Sequence, residues 1–129
     1  MNMPGGAKPH ALVVDDDLVV RIALLDYLEE AGFAVAEAEN GAECLARFAE
    51  RRPDILLLDV SLPDTDGLDL CQQIRATQAG EHLPIVMITG RDDLASVERA
   101  YRAGATDFIV KPLNFNLLIH RLQFVLRAQ

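Results

Sequence analysis

The sequence predicts an α/β protein built on a doubly wound parallel sheet of five strands, with a helix following each strand. Short runs rich in valine and leucine alternate along the chain with segments of helical periodicity. Three of these runs are apolar almost throughout, which is typical of strands covered on both faces. Right-handed crossovers between parallel strands then place helices on both sides of the sheet.

Each predicted strand is a short apolar run that ends near a polar or turn-forming residue. The first is HALVVD and the second is FAVAEA. The third, DILLLD, and the fourth, LPIVMITG, are the most apolar, and the fifth is TDFIVK. The five strands cover residues 10–15, 33–38, 54–59, 83–90 and 106–111.

Each predicted helix shows apolar steps of three and four residues, a start signal or a stop signal. In the first helix Leu24 and Leu28 share one face, and Gly32 ends it. The second helix halts before Pro53, and the fourth ends at a glycine as the first does. Asn114 can accept hydrogen bonds from the free amides of the last helix. The five helices cover residues 18–32, 42–52, 68–78, 93–104 and 115–128.

Length and composition predict one domain, residues 9–129, after a flexible tail at residues 1–8. The net charge is −8, which argues against direct contact with nucleic acid because phosphate binding needs a basic face. No apolar segment approaches the roughly 20 residues that span a bilayer, so we expect a cytoplasmic protein without membrane contact. Cys44 and Cys71 are expected to be small buried apolar residues.

Polar residues stand at the carboxyl ends of four predicted strands. The first strand ends at Asp15 and Asp16, and Asp59 ends the third. Thr89 lies at the end of the fourth strand, and Lys111 ends the fifth. Each of these residues alone would read as a turn, cap or solvated residue. Because ligands bind outside the carboxyl ends of parallel strands, their convergence on one edge favours a functional site.

The residue types at this edge indicate phosphoryl chemistry with a metal. Asp15, Asp16 and Asp59 would repel one another unless a cation neutralised them. An oxygen-only ligand set favours Mg²⁺. Lys111 and Thr89 offer an ammonium and a hydroxyl to phosphate oxygens. Asp59 can then act as a nucleophile toward phosphorus and become an aspartyl phosphate.

The motifs VVDDD, LLLDVSLPDTDG, MITG and GATDFIVKP resemble those of the receiver domain of two-component response regulators, and the likeness spans residues 9–128. The resemblance implies a flavodoxin-like (βα)5 fold with strand order 2-1-3-4-5. It also implies Mg²⁺ as cofactor and Asp59 as the phosphoacceptor. Asp16 is then the direct metal ligand, Asp15 acts mainly through water, and the backbone carbonyl of Ser61 is a further ligand.

The resemblance also assigns roles to the last two strands. Thr89 resembles the switch hydroxyl, and Lys111 the lysine that binds the phosphate. The bond between Lys111 and Pro112 resembles the cis peptide of the family, which is tolerated before proline. Phe108 matches the switch aromatic, a position that is often tyrosine. Movement of Thr89 toward the phosphate would let Phe108 rotate inward.

The resemblance implies a signalling role rather than that of an enzyme, since the domain catalyses only its own phosphorylation and dephosphorylation. The phosphodonor would be a phosphohistidine of a sensor histidine kinase or a phosphotransfer protein. The fourth helix, fifth strand and fifth helix would form the switched surface, which could also mediate a homodimer. The expected members of this surface are Leu94, Val97, Tyr101 and Leu118.

The output stays open at this point. An attached output domain, a separate partner, a stand-alone receiver and a receiver of a hybrid kinase all agree with the sequence. The segment KPLNFNLLIHRLQFVLRA is similar to receivers that precede diguanylate cyclase or phosphodiesterase domains.

Two other functions are compatible with an aspartate at a strand end. One is a phosphatase of the haloacid dehalogenase kind, but that family has a second aspartate at the position of Ser61. The other is a receiver-like binding module that acts independently of phosphorylation. The complete set of acidic, hydroxyl and lysine residues argues against that module.

Overall fold

The computed structural model describes residues 7–90 and 94–128 and alternates strictly between strand and helix. The strands are β1 (His10–Val14), β2 (Ala34–Ala38), β3 (Ile55–Asp59), β4 (Ile85–Thr89) and β5 (Asp107–Val110). The helices are α1 (Leu18–Glu30), α2 (Gly41–Glu50), α3 (Gly67–Arg75), α4 (Leu94–Arg102) and α5 (Phe115–Arg127). All ten predicted elements are present, and their bounds differ from the predicted ones by at most three residues. Residues 1–6 of the predicted tail and residue 93 of the predicted fourth helix lie outside the described residues.

The five strands form one parallel sheet in the order β2-β1-β3-β4-β5, which confirms the predicted flavodoxin-like fold. The chain runs outward from β1 to β2 and then crosses back to β3, so the strand order reverses between β1 and β3. In open α/β sheets this reversal opens a crevice at the carboxyl ends of the two strands. Asp15 directly follows β1, and Asp59 is the last residue of β3. The topology therefore places both carboxylates at the crevice.

Two apolar clusters fill the space between the sheet and its helices. One lies beneath α2, α3 and α4 and includes Leu58, Cys71 and Phe108. The other lies beneath α1 and α5 and includes Leu28 and Leu122. Every residue of β3 and β4 is buried, because both faces of these central strands are covered. The buried central strands β3 and β4 thus carry Asp59 and Thr89 at their carboxyl ends.

The helix ends follow the predicted chemistry. Gly32 and Gly104 adopt positive φ angles of 99° and 102° directly after α1 and α4, a backbone region that glycine enters without strain. Asn114 accepts a hydrogen bond from the Leu117 amide and so caps α5.

The two cysteines are free and buried, as expected. Burial raises the pKa of the Cys44 thiol to about 12, and it also raises the pKa of Cys71. Both side chains pack within the buried apolar cluster beneath α2, α3 and α4. Among the described residues, no helix is both long and apolar enough to span a bilayer.

Arg75, in the last turn of α3, joins three segments at the amino end of the sheet. Its Nε donates to the Gly104 carbonyl over 2.9 Å, and its Nη1 donates to the carbonyls of Gly80, over 2.9 Å, and Leu83. Its Nη2 donates to the Thr106 hydroxyl over 3.2 Å. The planar fork of a guanidinium fits this set of acceptors, whereas an ammonium is a point charge on a flexible stem.

Replacing Arg75 with lysine should lower the free energy of unfolding by roughly 1–3 kcal/mol, because carbonyls partly shielded from water lose their charged donors. Urea unfolding of Arg75→Lys measures this loss. Arg52→Lys is the matched control, since Arg52 is exposed and its guanidinium donates to two carbonyls, of which that of Ala79 lies at the surface. That control should change stability by less than about 0.5 kcal/mol. Equal effects of the two substitutions would contradict the role given to Arg75.

Candidate functional site

The residues predicted at the strand ends meet at one edge of the sheet. A carboxylate oxygen from each of Asp15, Asp16 and Asp59 lies within 4.8 Å of the other two. Lys111 follows the end of β5 and extends its ammonium group toward this cluster. Its Nζ lies 3.0 Å from Asp59 Oδ2 and 3.1 Å from Asp15 Oδ2. Thr89 ends β4 and is buried.

Burial sets this cluster apart from ordinary surface acids. Asp15 is 1% exposed and Asp59 is 5% exposed, whereas Asp16 is exposed to solvent. Burying ionised carboxylates is costly unless they are paired or coordinate a metal. Two such groups next to each other therefore indicate a site that the fold retains for its chemistry.

The two carboxylate oxygens of Asp15 differ in their hydrogen bonding. Its Oδ1 accepts a hydrogen bond from the Asp17 amide over 2.8 Å. Its Oδ2 is buried and has no hydrogen-bond partner among the described residues, although the Lys111 ammonium lies within ion-pair distance. Asp17 itself caps α1 through the Val19 and Val20 amides, so the third acid of the VVDDD motif is committed to the helix.

Both oxygens of Asp59 are held in place. Oδ1 accepts from the Ser61 amide over 3.0 Å, and Oδ2 accepts from Lys111 Nζ. Burial raises the pKa of Asp59 and outweighs the lowering by the Ser61 amide and by Lys111, while repulsion from Asp15 raises it further. Burial acts to lower the pKa of Lys111, but the hydrogen bond to Asp59 and the close, attractive contacts with Asp59 and Asp15 raise it overall. The site thus holds excess negative charge that one lysine offsets only in part.

This donor set fits Mg²⁺. The three carboxylates supply oxygen ligands alone, and the buried Asp15 Oδ2 lacks a hydrogen-bond donor. Asp16 stands on the solvent side, where a bound ion would keep several of its waters. The role of the Ser61 carbonyl as a ligand remains a prediction.

Gly67 fixes the position of Asp59 relative to α3. A Cβ atom at Gly67 would lie 2.1 Å from the backbone oxygen of Asp59. The Gly67 amide donates to the Val60 carbonyl over 2.7 Å, and Ser61 pairs with Asp66 across the loop. Only glycine allows α3 to begin this close to the end of β3. The sequence shows the glycine but not the distance, so its role was not predicted.

Asp64 ties the same loop to α2. Its carboxylate accepts from the Gly41 amide over 2.7 Å and from the Ala42 amide over 3.0 Å. These two bonds hold the pKa of Asp64 below its ordinary value. Asn40, the N-cap residue of α2, satisfies the Glu43 amide. The sequence does not predict the donation from Gly41 and Ala42 to Asp64, which lies more than 20 residues away.

The predicted switch residues lie on β4 and β5. Phe108 is 9% exposed and packs in the cluster beneath α4. The peptide bond between Lys111 and Pro112 is cis. The prediction that Leu118 lies on the surface of α4, β5 and α5 is wrong. Leu118 is 1% exposed and packs beneath α1 and α5, because it shares the inner stripe of α5 with Leu122.

Comparison with known proteins agrees with this site. The family model of the response regulator receiver domain matches residues 11–123. The transcriptional regulatory protein ResD of Bacillus subtilis is 40% identical over 116 residues, which cover 90% of this chain and 47% of ResD. The response regulator MprA of Mycobacterium avium is 42% identical over 116 residues, covering 90% of this chain and 50% of MprA.

Solved structures show the same relationship. The chemotaxis response regulator CheY4 of Vibrio cholerae superposes with a TM-score of 0.88 at 30% identity, over 92% of this chain and 99% of that chain. The BeF3-activated N-terminal receiver domain of RstA from Klebsiella pneumoniae has a TM-score of 0.85 at 30% identity, over 92% and 98% of the two chains.

An acidic pocket at the switch point of a five-stranded parallel sheet, closed by a lysine, defines a phosphoacceptor signalling domain. The chain belongs to the response regulator receiver domain family of two-component systems. It spans about half the length of ResD and MprA. These relatives give no support to the suggested diguanylate cyclase or phosphodiesterase output, since one is named as a transcriptional regulator and the other as a response regulator.

Replacing Gly67 with alanine should destabilise the fold by roughly 1–3 kcal/mol, because the added methyl group meets backbone that cannot give way cheaply. It should also slow phosphorylation, since Asp59 or α3 must shift. Gly90→Ala is the control for stability, as a Cβ there meets no described residue within 4 Å. Chemical unfolding of both variants measures the difference. A Gly67→Ala protein as stable as Gly90→Ala would contradict the close approach.

Proposed function

We propose that this receiver accepts a phosphoryl group on Asp59 from a phosphohistidine of a sensor histidine kinase or phosphotransfer protein. The observation that carries the proposal is the Asp59 carboxylate, held by the Ser61 amide and by Lys111 at the edge of the sheet beside two further acids. An Asp59 oxygen forms a bond to phosphorus as the phosphorus–nitrogen bond breaks. The electron pair of that bond remains on the imidazole nitrogen of the donor.

The neighbouring residues lower the cost of bringing an anionic group to an anionic nucleophile. Asp15 and Asp16, with Asp59 and the Ser61 carbonyl, would hold Mg²⁺, which supplies positive charge to the phosphoryl oxygens when bound. Lys111 contacts Asp59 before transfer and can hold a phosphoryl oxygen afterwards. Thr89 donates its hydroxyl to another oxygen. Together these are the catalytic residues of a domain that modifies only itself.

The donor has an apolar approach to the site. Leu18 and Val19 begin α1 directly after the acidic motif, and they are 57% and 77% exposed. Ile22, one turn further along, is 51% exposed. An imidazole that reaches Asp59 brings the rest of its protein against this end of α1. We therefore assign these three residues to contact with the histidine-bearing partner.

The switched surface lies on α4, β5 and α5. Leu94 and Tyr101 on α4 are 72% and 49% exposed, and Phe124 on α5 is 67% exposed. Phosphorylation draws Thr89 toward the new oxygens, and Phe108 repacks beneath α4 in response. We propose that this surface controls an output domain or partner and can also pair two copies of the chain. Relatives twice as long, one of them named as a transcriptional regulator, support an attached output that acts on transcription.

Treatment with acetyl phosphate and Mg²⁺ should add one phosphoryl group to Asp59, detectable by intact-protein mass spectrometry. Asp59→Asn should give no adduct because it lacks the nucleophile, and Asp16→Ala or removal of Mg²⁺ should suppress labelling because metal binding is lost. Asp26→Asn, an exposed acid on α1, is the control and should label as the wild type does.

The outcome separates the candidate functions. Turnover of many phosphoesters would indicate a phosphatase, and a folded wild type without any adduct would indicate a module independent of phosphorylation. An adduct that persists in Asp59→Asn and maps to another side chain would overturn the assignment of Asp59.

Activation should also change the surface of α4, β5 and α5, well away from Asp59. Beryllium fluoride with Mg²⁺ mimics the phosphoryl group, and we expect it to alter amide chemical shifts or hydrogen exchange at Leu94, Val97 and Tyr101. Asp59→Asn under the same conditions is the control and should remain silent. Changes confined to the loops around the site, with α4 and α5 unaffected, would contradict signalling through this surface.

A further inference from the structure

The structure buries four polar or charged side chains among the residues it describes. They are Asp15, Arg21, Asp59 and Thr89. Three of them form the phosphoacceptor site. The fourth, Arg21, lies on α1 at a position where the helical pattern favours an apolar residue, and it is 7% exposed. A buried arginine requires hydrogen-bond or ion-pair partners, and one partner of Arg21 is Asp15 of the phosphoacceptor site.

The Arg21 guanidinium connects the end of β1 to the end of β2. Its Nη1 donates to the backbone carbonyl of Asp15 over 2.7 Å, a buried hydrogen bond. Its Nε donates to Glu37 Oε1 over 2.7 Å, and its Nη2 lies 3.9 Å from Glu39 Oε2. The side chains of both glutamates are about half exposed, so Arg21 spans from solvent-facing acids to the buried turn.

Arg21 completes a set of contacts that leaves one atom of Asp15 without a hydrogen bond. The Asp15 amide donates to the Ala38 carbonyl over 3.1 Å, and the Asp15 carbonyl accepts from Arg21. Oδ1 accepts from the Asp17 amide. Among its polar atoms only Oδ2, buried beside Lys111, has no hydrogen bond from any residue that the structure describes. The backbone of Asp15 is thus held from both sides while Oδ2 is presented to the pocket.

We propose that Arg21 is a positioning residue for the cation site, acting through the backbone carbonyl of Asp15 rather than through its charge. This inference rests on the proposed Mg²⁺ site. When the guanidinium is lost, the turn after β1 can rotate, and the carboxylates of Asp15 and Asp16 leave the geometry they share with Asp59. Groups that orient metal ligands in this way contribute strongly to metal affinity.

Charge and geometry predict opposite effects for the loss of Arg21. Arg21 is a cation close to a site for a cation, so electrostatics alone predicts that its removal strengthens Mg²⁺ binding. Positioning predicts that its removal weakens binding. Arg21→Gln removes the charge, and Arg21→Lys keeps the charge but lacks the fork that reaches Asp15 and Glu37 together. The two variants therefore separate the two effects.

The test is a titration of the purified chain with Mg²⁺ alone. Binding is monitored through the amide chemical shifts of the loops after β1 and β3. We expect Arg21→Gln and Arg21→Lys each to raise the Mg²⁺ dissociation constant roughly 10-fold or more. Labelling by acetyl phosphate should recover at saturating Mg²⁺, because Asp59 and Lys111 are unchanged. Glu37→Gln is the matched control: it removes the ion pair but keeps the bond from Arg21 to Asp15, so its Mg²⁺ affinity should stay within about twofold of the wild type.

The outcomes are distinct. Mg²⁺ binding by Arg21→Gln that equals or exceeds that of the wild type would overturn the inference, as would a loss in Glu37→Gln as large as that in Arg21→Gln. Urea unfolding of each variant shows whether it is folded. If Arg21→Gln does not fold, wild-type affinity in Arg21→Lys still overturns the inference, and weakened affinity supports it. Failure of the wild type to bind Mg²⁺ would refute the proposed metal site itself.

Discussion

Two carboxylates buried side by side, those of Asp15 and Asp59, are the constraint on which the rest of the site depends. Their burial is unfavourable, and the single ammonium of Lys111, about 3 Å from both, offsets it only in part. The folded chain is therefore poised to bind positive charge. A metal ion held by these carboxylates would relieve the repulsion and would share, with Lys111, the charge of an incoming phosphoryl group.

Such an arrangement requires a backbone that does not relax. β3 and β4 are buried throughout, so the strand that carries Asp59 cannot shift to separate the charges. The loops are held as well. Gly67 lets α3 begin against the Asp59 carbonyl, Asp64 ties the loop after β3 to α2, and Arg21 holds the turn after β1. The repulsion between the carboxylates of Asp15 and Asp59 persists because the surrounding packing and backbone contacts hold the two side chains close together.

The sequence predicts the parts of the site that depend on residue type and strand position. The acids, Thr89 and Lys111 stand at strand ends, and the alternation of elements brings strand ends together. It does not predict the contacts of Arg21, Gly67 and Asp64, because these depend on distances between backbone atoms far apart along the chain. Leu118 was placed wrongly although its spacing to Leu122 matched the inner stripe, since the surface was assigned by element and not by helical phase.

β5 connects the site to the proposed surface, and within the described residues it is an edge strand that pairs with β4 alone. The Lys111 amide donates to the Thr89 carbonyl over 2.7 Å, so the two residues proposed to contact the phosphoryl group are also joined through the backbone. At the other end of β5, Asp107 accepts two hydrogen bonds from Arg121 of α5, over 3.1 and 2.6 Å. A displacement of Lys111 or Thr89 would therefore act on a strand that pairs with β4 and is tied to α5 through Asp107 and Arg121. Because of that tie, we expect β5 and α5 to move together.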